Sequence, residues 1–145
     1  MARVIQTGDT AAKRRHAHLR SCAEVLRLLA PRPDVAAGRF DEEARDMTAF
    51  LVFALRGIAA SIEESAQAWD DRNYWKKSER LRADWRWAAR TADALAAAAL
   101  ADRWADVPPL LVGLVPHLQT ITVTQATRDA DWWCGAMKAL RKQAG

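Results

Sequence analysis

The hydrophobic positions of the chain recur at steps of three and four residues, which is the period of amphipathic helices. The clearest repeats flank a polar tetrad at 70–73 and run over residues 41–70 and 74–101. The two apolar stripes are Ala44, Thr48, Leu51, Leu55, Ile58, Ile62, Ser65 and Trp69, then Tyr74, Ser78, Leu81, Trp85, Ala88, Ala92, Leu95 and Ala99. When the chain folds back at the tetrad, large residues of one stripe tend to oppose small residues of the other. The pattern therefore predicts a long antiparallel helical hairpin.

The first arm of this hairpin has a second apolar flank, around Met47 to Ala60, which other helices must cover. Three candidates are a helix that is capped by Asp9 or Thr10 and runs to about Leu29, a short helix begun by Asp106, and a last helix over about 129–142. Residues 1–8 are expected to form a flexible arm, 30–40 a linker and 121–124 an extended connector. The prediction is an all-α, single-domain bundle of about four to five helices over residues 1–145, with a hairpin turn at 70–73.

Composition supports the all-α fold class and indicates in which cellular compartment the protein is expected. Glycine and proline are scarce, at 6 and 5 residues, which argues against a turn-rich β fold. The apolar stretch 47–62 is interrupted by Arg56 and is shorter than the roughly 20 residues that span a bilayer, so it predicts a core helix and no membrane association. The only cysteines, Cys22 and Cys134, are far apart, and they predict neither a disulfide framework nor a zinc module. We therefore expect a cytoplasmic protein.

Residues 72–90 contain seven basic and two acidic residues, which gives this segment a local excess of positive charge. The candidate nucleic-acid or anion patch consists of Arg72, Trp75, Lys76, Arg80, Arg82, Arg86, Trp87 and Arg90. Basic groups one helical turn apart suit a phosphate backbone, and tryptophan rings among them can stack on bases. The alternative is a solvated basic face on which arginine stems cover the two rings and Arg82 pairs with Glu63.

Acidic residues form a second candidate cluster at Glu42, Glu43 and Asp46. The spacing resembles the E-E-x-x-E motif of all-α nucleoside-triphosphate pyrophosphatases, and that resemblance implies Mg²⁺-dependent nucleotide hydrolysis. Asp46 stands where the motif has its third glutamate, and no E-x-x-D follows. The next acidic groups, at 63–64 and 70–71, lie on the same predicted helix, some 30 Å away at about 1.5 Å per residue. Charge that suits a helix start and the solubility of the hairpin explain these acids more simply than a metal site does.

The remaining polar groups define no catalytic set, and we predict no catalytic residue, metal site or cofactor. His16 and His18 point away from each other on a helix, and the chain has no nucleophile elbow, phosphate loop or zinc-binding helix motif. The leading hypothesis is a non-enzymatic helical interaction or scaffold subunit that self-associates, with a protein or a second copy as partner and Trp132 as a candidate contact. The alternative is an accessory subunit that binds DNA or RNA through residues 72–90. A metal-dependent nucleotide hydrolase of the pyrophosphatase type is the third hypothesis.

Overall fold

A computed structural model describes residues 10–145, and the expected flexible arm at 1–8 lies outside these residues. The fold is all-α, as predicted, with no strand among the described residues. The α-helices are α1 (Ala11–Leu29), α2 (Pro33–Ala36), α3 (Glu42–Asp71), α4 (Trp75–Asp84), α5 (Arg86–Leu100), α6 (Val107–Leu118), α7 (Ala130–Trp133) and α8 (Ala136–Ala144), and a 3₁₀ turn (Trp104–Asp106) precedes α6. None of the helices in residues 10–145 combines the length and hydropathy that a bilayer crossing requires.

The hairpin of α3 against α4 and α5 is the centre of the bundle, as the stripes predict. Asp41 begins α3 by accepting a hydrogen bond from the Ala44 amide at 2.8 Å, which satisfies one of the free donors of the first turn. The stripe is buried from Ala44 to Ile62 and from Ala88 to Ala99. Towards the turn the burial weakens. Tyr74, expected in the core stripe, is 49% exposed, although its ring still meets Trp69 edge-on at 5.6 Å.

Helix α1 covers the second apolar flank of α3. Thr10 begins it by accepting a hydrogen bond from the Lys13 amide, and its predicted face, Leu19, Cys22, Leu26 and Leu29, is buried. The two helices approach closely at Gly57, because a Cβ there would lie 2.4 Å from the Nε2 atom of His18. Glycine at this position therefore lets the imidazole pack directly on the backbone of α3.

The prediction of one continuous helix over 74–101 is wrong. The second arm of the hairpin consists of two helices, α4 and α5, which meet at Trp85. The backbone of Trp85 leaves the helical region, with φ −112° and ψ 9°. A continuous helix would point Trp85 and Trp87 about 200° apart. Here their ring centroids lie 5.7 Å apart, His117 of α6 stacks on Trp87 at 4.2 Å, and the Arg15 guanidinium of α1 lies 5.7 Å from the Trp85 ring. The break thus accompanies an aromatic ladder that joins three helices.

The last predicted helix, over 129–142, is also divided, at Gly135, whose φ of +82° favours glycine. Of its four predicted core residues, Trp133, Met137 and Leu140 are buried, as expected, whereas Ala136 is only partly buried. Because Gly135 has no side chain to cap α8, the cap comes from α3. The buried Asp46 carboxylate accepts hydrogen bonds from the amides of Gly135 at 3.1 Å and Met137 at 2.9 Å.

Candidate functional site

The predicted basic patch is largely solvent-exposed. Arg72, Lys76, Arg80, Arg86 and Arg90 are all exposed, and so is Trp75, at 58%. Arg72 lies at the end of α3, and the break at Trp85 divides the others between α4 and α5, so they do not form the single continuous stripe that an unbroken helix would present.

Arg82 is the member of the patch that the structure uses internally. Its guanidinium donates to both carboxylate oxygens of Glu63, at 2.7 and 2.9 Å, and to Asp70 at 2.9 Å. The hydrogen bonds from Arg82 lower the pKa of Glu63, and the Ser78 hydroxyl together with Arg82 lowers the pKa of Asp70. The predicted pairing of Glu63 with Arg82 is therefore confirmed. Arg82 joins α4 to α3, and its charge is balanced by two carboxylates.

Trp87 also differs from Trp75, because it is half-buried rather than open. One face of its indole is covered by the His117 imidazole, at 4.2 Å between centroids and 7° between planes. Stacking at such distances is worth about 0.5–1.5 kcal/mol beyond the buried area. Trp87 is therefore engaged in joining α5 to α6.

The turn between α3 and α4 holds a second group of rings and cations. The Lys77 ammonium lies 4.6 Å from the Trp69 ring and 5.5 Å from the Tyr74 ring, and the Arg72 guanidinium lies 5.7 Å from Trp69. These cation–π contacts order the turn, where Asn73 adopts a left-handed φ of 64°. Among the remaining members of the patch, Trp75, Lys76 and Arg80 make no ring contact or ion pair with other side chains of residues 10–145.

Comparisons with protein-family models, with curated proteins and with solved structures find no match.

The acidic cluster at the start of α3 is occupied by protein groups. Asp46 caps α8, and Glu43 accepts hydrogen bonds from Arg32 at 2.8 Å and from the Trp133 indole at 3.4 Å. The bonds from Arg32 and then Trp133 lower the pKa of Glu43. Within residues 10–145, no three histidine, cysteine or acidic side chains come close enough together to hold a metal ion. Two of the three acids that resemble the pyrophosphatase motif thus attach the C-terminal helices to α3.

Sequence analysis did not identify the exposed face of α6. Val107, Leu111, Leu114 and Leu118 are buried, which leaves Pro109, Val112, Gly113 and Pro116 on the outside. We call these four residues the α6 face. Val112 is 69% exposed and Val115, at its edge, is 44% exposed. A groove of about 340 Å³ lies beside it, lined mainly by apolar side chains of α1 and α6, with Arg27 and Gln119. The nearly uniform hydrophobicity of 107–118 was the available signal, since a one-sided helix would carry polar residues on its outer face.

A buried carboxylate on α1, that of Glu24, is not among the predicted site residues. Glu24 accepts hydrogen bonds from the amides of Thr127 at 2.8 Å and Arg128 at 3.1 Å, and the Arg128 guanidinium pairs with it at 3.4 Å. Burial raises the pKa of Glu24, but these hydrogen bonds and the charge of Arg128 outweigh burial and lower it. Glu24 thereby holds the extended connector against α1. A glutamate within the buried stripe of a helix is the signal that could have revealed it.

Trp132, the predicted partner contact, is 49% exposed at the end of α7. Its ring meets Phe50 edge-on at 6.4 Å, and the Arg128 guanidinium lies 4.7 Å from it. The ring is therefore partly held by its own chain while the rest of its surface faces solvent. Arg56, which interrupts the apolar stretch of α3, is half-buried and donates to Gln143 at 3.1 Å.

Proposed function

We propose that the protein is a helical interaction subunit that self-associates through the α6 face. The supporting observation is that this face is apolar and uncharged, although Val112 at its centre is 69% exposed. Each Å² of apolar surface removed from water contributes about 25 cal/mol, which offsets the entropy that two chains lose when they associate. Contiguous exposed apolar surface is typical of interaction sites.

A second copy of the chain is the partner that this surface fits best. In a dimer with a two-fold axis the same face of both copies forms the interface, so a charged face would place like charges opposite each other. The α6 face carries none. A Cβ added at Gly113 would meet nothing within 4 Å, and the backbone of a facing helix can therefore approach closely.

The groove beside α6 extends the proposed interface. A stable interface buries about 800 Å² on each partner, more than one face of a 12-residue helix about 18 Å long provides. The groove adds apolar side chains of α1, among them Leu26, Ala30 and Pro31. We expect the second copy to cover both the α6 face and this groove.

Light scattering after size-exclusion chromatography, over a range of protein concentrations, tests the proposal. The wild type should show the mass of a closed oligomer, whereas Val112→Asp should be monomeric because each copy would bury a carboxylate against its equivalent. Ala139→Asp on α8 is the matched control, since it adds the same charge at an exposed position elsewhere. A monomeric wild type at every concentration, or an unchanged mass for Val112→Asp, contradicts the proposal.

Gly113→Ala distinguishes an effect on association from an effect on the stability of the fold. Alanine in place of an exposed helical glycine stabilises a helix by about 0.8–1.0 kcal/mol. The open space around Gly113 means that no atom of the chain opposes the new methyl group. We therefore expect higher stability of the monomer at low concentration together with weaker association. Unchanged association would show that no second helix lies close to Gly113.

A further inference from the structure

We propose that the N-terminal part of α4 binds single-stranded nucleic acid, with Trp75 stacking on a base and with Lys76 and Arg80 contacting phosphates. Trp75 is the most exposed of the seven tryptophans, at 58%. The other six indoles are buried or packed in ring or cation–π contacts, whereas the Trp75 indole makes no such contact with residues 10–145. An exposed ring without a partner in its own chain is available to an external planar group.

Unpaired cations follow Trp75 on the same helix. Lys76 and Arg80 are one helical turn apart, about 6 Å along the axis, and neither forms an ion pair with residues 10–145. Together with Lys77 they line an open depression, where Glu79 is the opposing charge. Three cations against one carboxylate leave this surface positive, which favours a phosphate backbone.

The neighbouring carboxylates of α3 counteract this charge only in part. Glu63 and Asp70 both pair with Arg82, so one of their two negative charges is balanced within the hairpin. Asp71 accepts a hydrogen bond from Gln67 at 3.0 Å and is exposed at the end of α3. Because Arg82 already pairs with Glu63 and Asp70, we assign the phosphate contacts to Lys76 and Arg80.

Single strands fit this surface better than duplexes. Base faces are covered in a double helix, while a single strand offers each base for stacking on an aromatic ring. An acidic protein segment would use the cations but leave the indole unused. The combination of one open indole with cations a turn apart thus points to an unpaired strand.

Fluorescence anisotropy with a labelled 12-nucleotide oligothymidylate, at 50 and 200 mM NaCl, tests this inference on the full chain. Trp75→Ala should weaken binding roughly 5-fold to 150-fold, since stacking contributes that much per base. The double variant Lys76→Gln/Arg80→Gln should lower the slope of log affinity against log salt by about 1.4, or about 0.7 for each lost phosphate contact. Circular dichroism confirms that each variant stays helical.

Matched controls come from other surfaces of the molecule. Trp132→Ala removes the other strongly exposed indole, and Lys138→Gln/Lys142→Gln removes two exposed charges from α8. Both should bind the oligonucleotide within about twofold of the wild type, because neither touches α4. A 12-base-pair duplex should bind more weakly than the single strand, and unlabelled polyglutamate should compete poorly.

Four results would overturn the inference: no binding at 50 mM NaCl, equal losses in Trp75→Ala and Trp132→Ala, duplex binding as tight as single-strand binding, or competition by polyglutamate as strong as by unlabelled oligothymidylate. The last result would identify a general anion surface. Since oligomeric mass is measured separately, failure here is distinguishable from failure of the proposed self-association.

Discussion

Replacing Gly57 by alanine provides a sharp test of how α1 packs on α3. A Cβ at this position would lie 2.4 Å from Nε2 of His18 and 2.7 Å from each of the Cδ2 and Cε1 atoms, and these are its three nearest neighbours. Two effects of opposite sign follow. Alanine stabilises the helix interior by about 0.8–1.0 kcal/mol relative to glycine. Overpacking of a filled site costs about 1–3 kcal/mol.

The net effect should therefore depend on the residue at position 18. In the wild type we expect Gly57→Ala to lower the free energy of unfolding by up to about 2 kcal/mol. In a His18→Ala background the opposing ring is gone, and the same substitution should raise it by about 1 kcal/mol. The change of sign corresponds to a coupling energy of about 1–3 kcal/mol, which is within the range for residues in contact.

Urea unfolding of the four proteins, followed by circular dichroism at pH 7.5, measures each free energy by linear extrapolation. The double-mutant cycle isolates the contact, because each single variant also carries effects of its own on the helices. If Gly57→Ala stabilises the wild type as much as it stabilises the His18→Ala variant, then the imidazole does not pack on Gly57 and the argument fails.

Three further outcomes follow from the buried polar groups. Burial and then the charge of Arg14 lower the pKa of His18, so the unfolded chain takes up its proton first on acidification. The free energy of unfolding should therefore fall as the pH drops below the ordinary histidine pKa of about 6.5, and less so in His18→Ala, in urea titrations at each pH. Glu24→Ala leaves the donors of Thr127 and Arg128 unpaired and should lower the free energy of unfolding by about 3–5 kcal/mol. Hydrogen exchange at the Thr127 amide should become faster, and unchanged exchange there would contradict this role of Glu24. Asp46→Ala removes the cap of α8 and should cost about 0.5–2 kcal/mol, with faster exchange at Met137, whereas the exposed neighbour Glu42→Ala should change little.

Much of the helical framework could be predicted from the sequence because its signals are local. The period of the apolar residues placed α1 and α3 within one or two residues of their observed bounds, and the start of α6 follows from Asp106 and the two prolines after it. Asp41 begins α3 as predicted, and Thr10, one of two candidate caps, begins α1. The buried faces of α1 and of the hairpin follow from the same period. Even the ion pair between Glu63 and Arg82 could be predicted, since the fold-back at the tetrad brings the two arms together.

The candidate surfaces were only partly predictable. The sequence indicated a basic face with tryptophans, but Trp75 and Trp87 carry the same signal in the chain. Only the packing of α6 distinguishes them, because it places His117 against one ring and leaves the other open. The acids at the start of α3 were equally ambiguous, since Asp46 caps a helix that begins some 90 positions later.

The sequence by itself thus determined the helical class, the bounds of α1 and α3 and the faces that these two helices bury, because these depend on residues within a few turns of one another. The break at Trp85, the capping of α8 by Asp46 and the attachment of the connector to Glu24 were decided by tertiary structure. Each depends on a contact between residues remote in the chain, and local periodicity carries no information on which remote group will satisfy a buried ring or a buried charge.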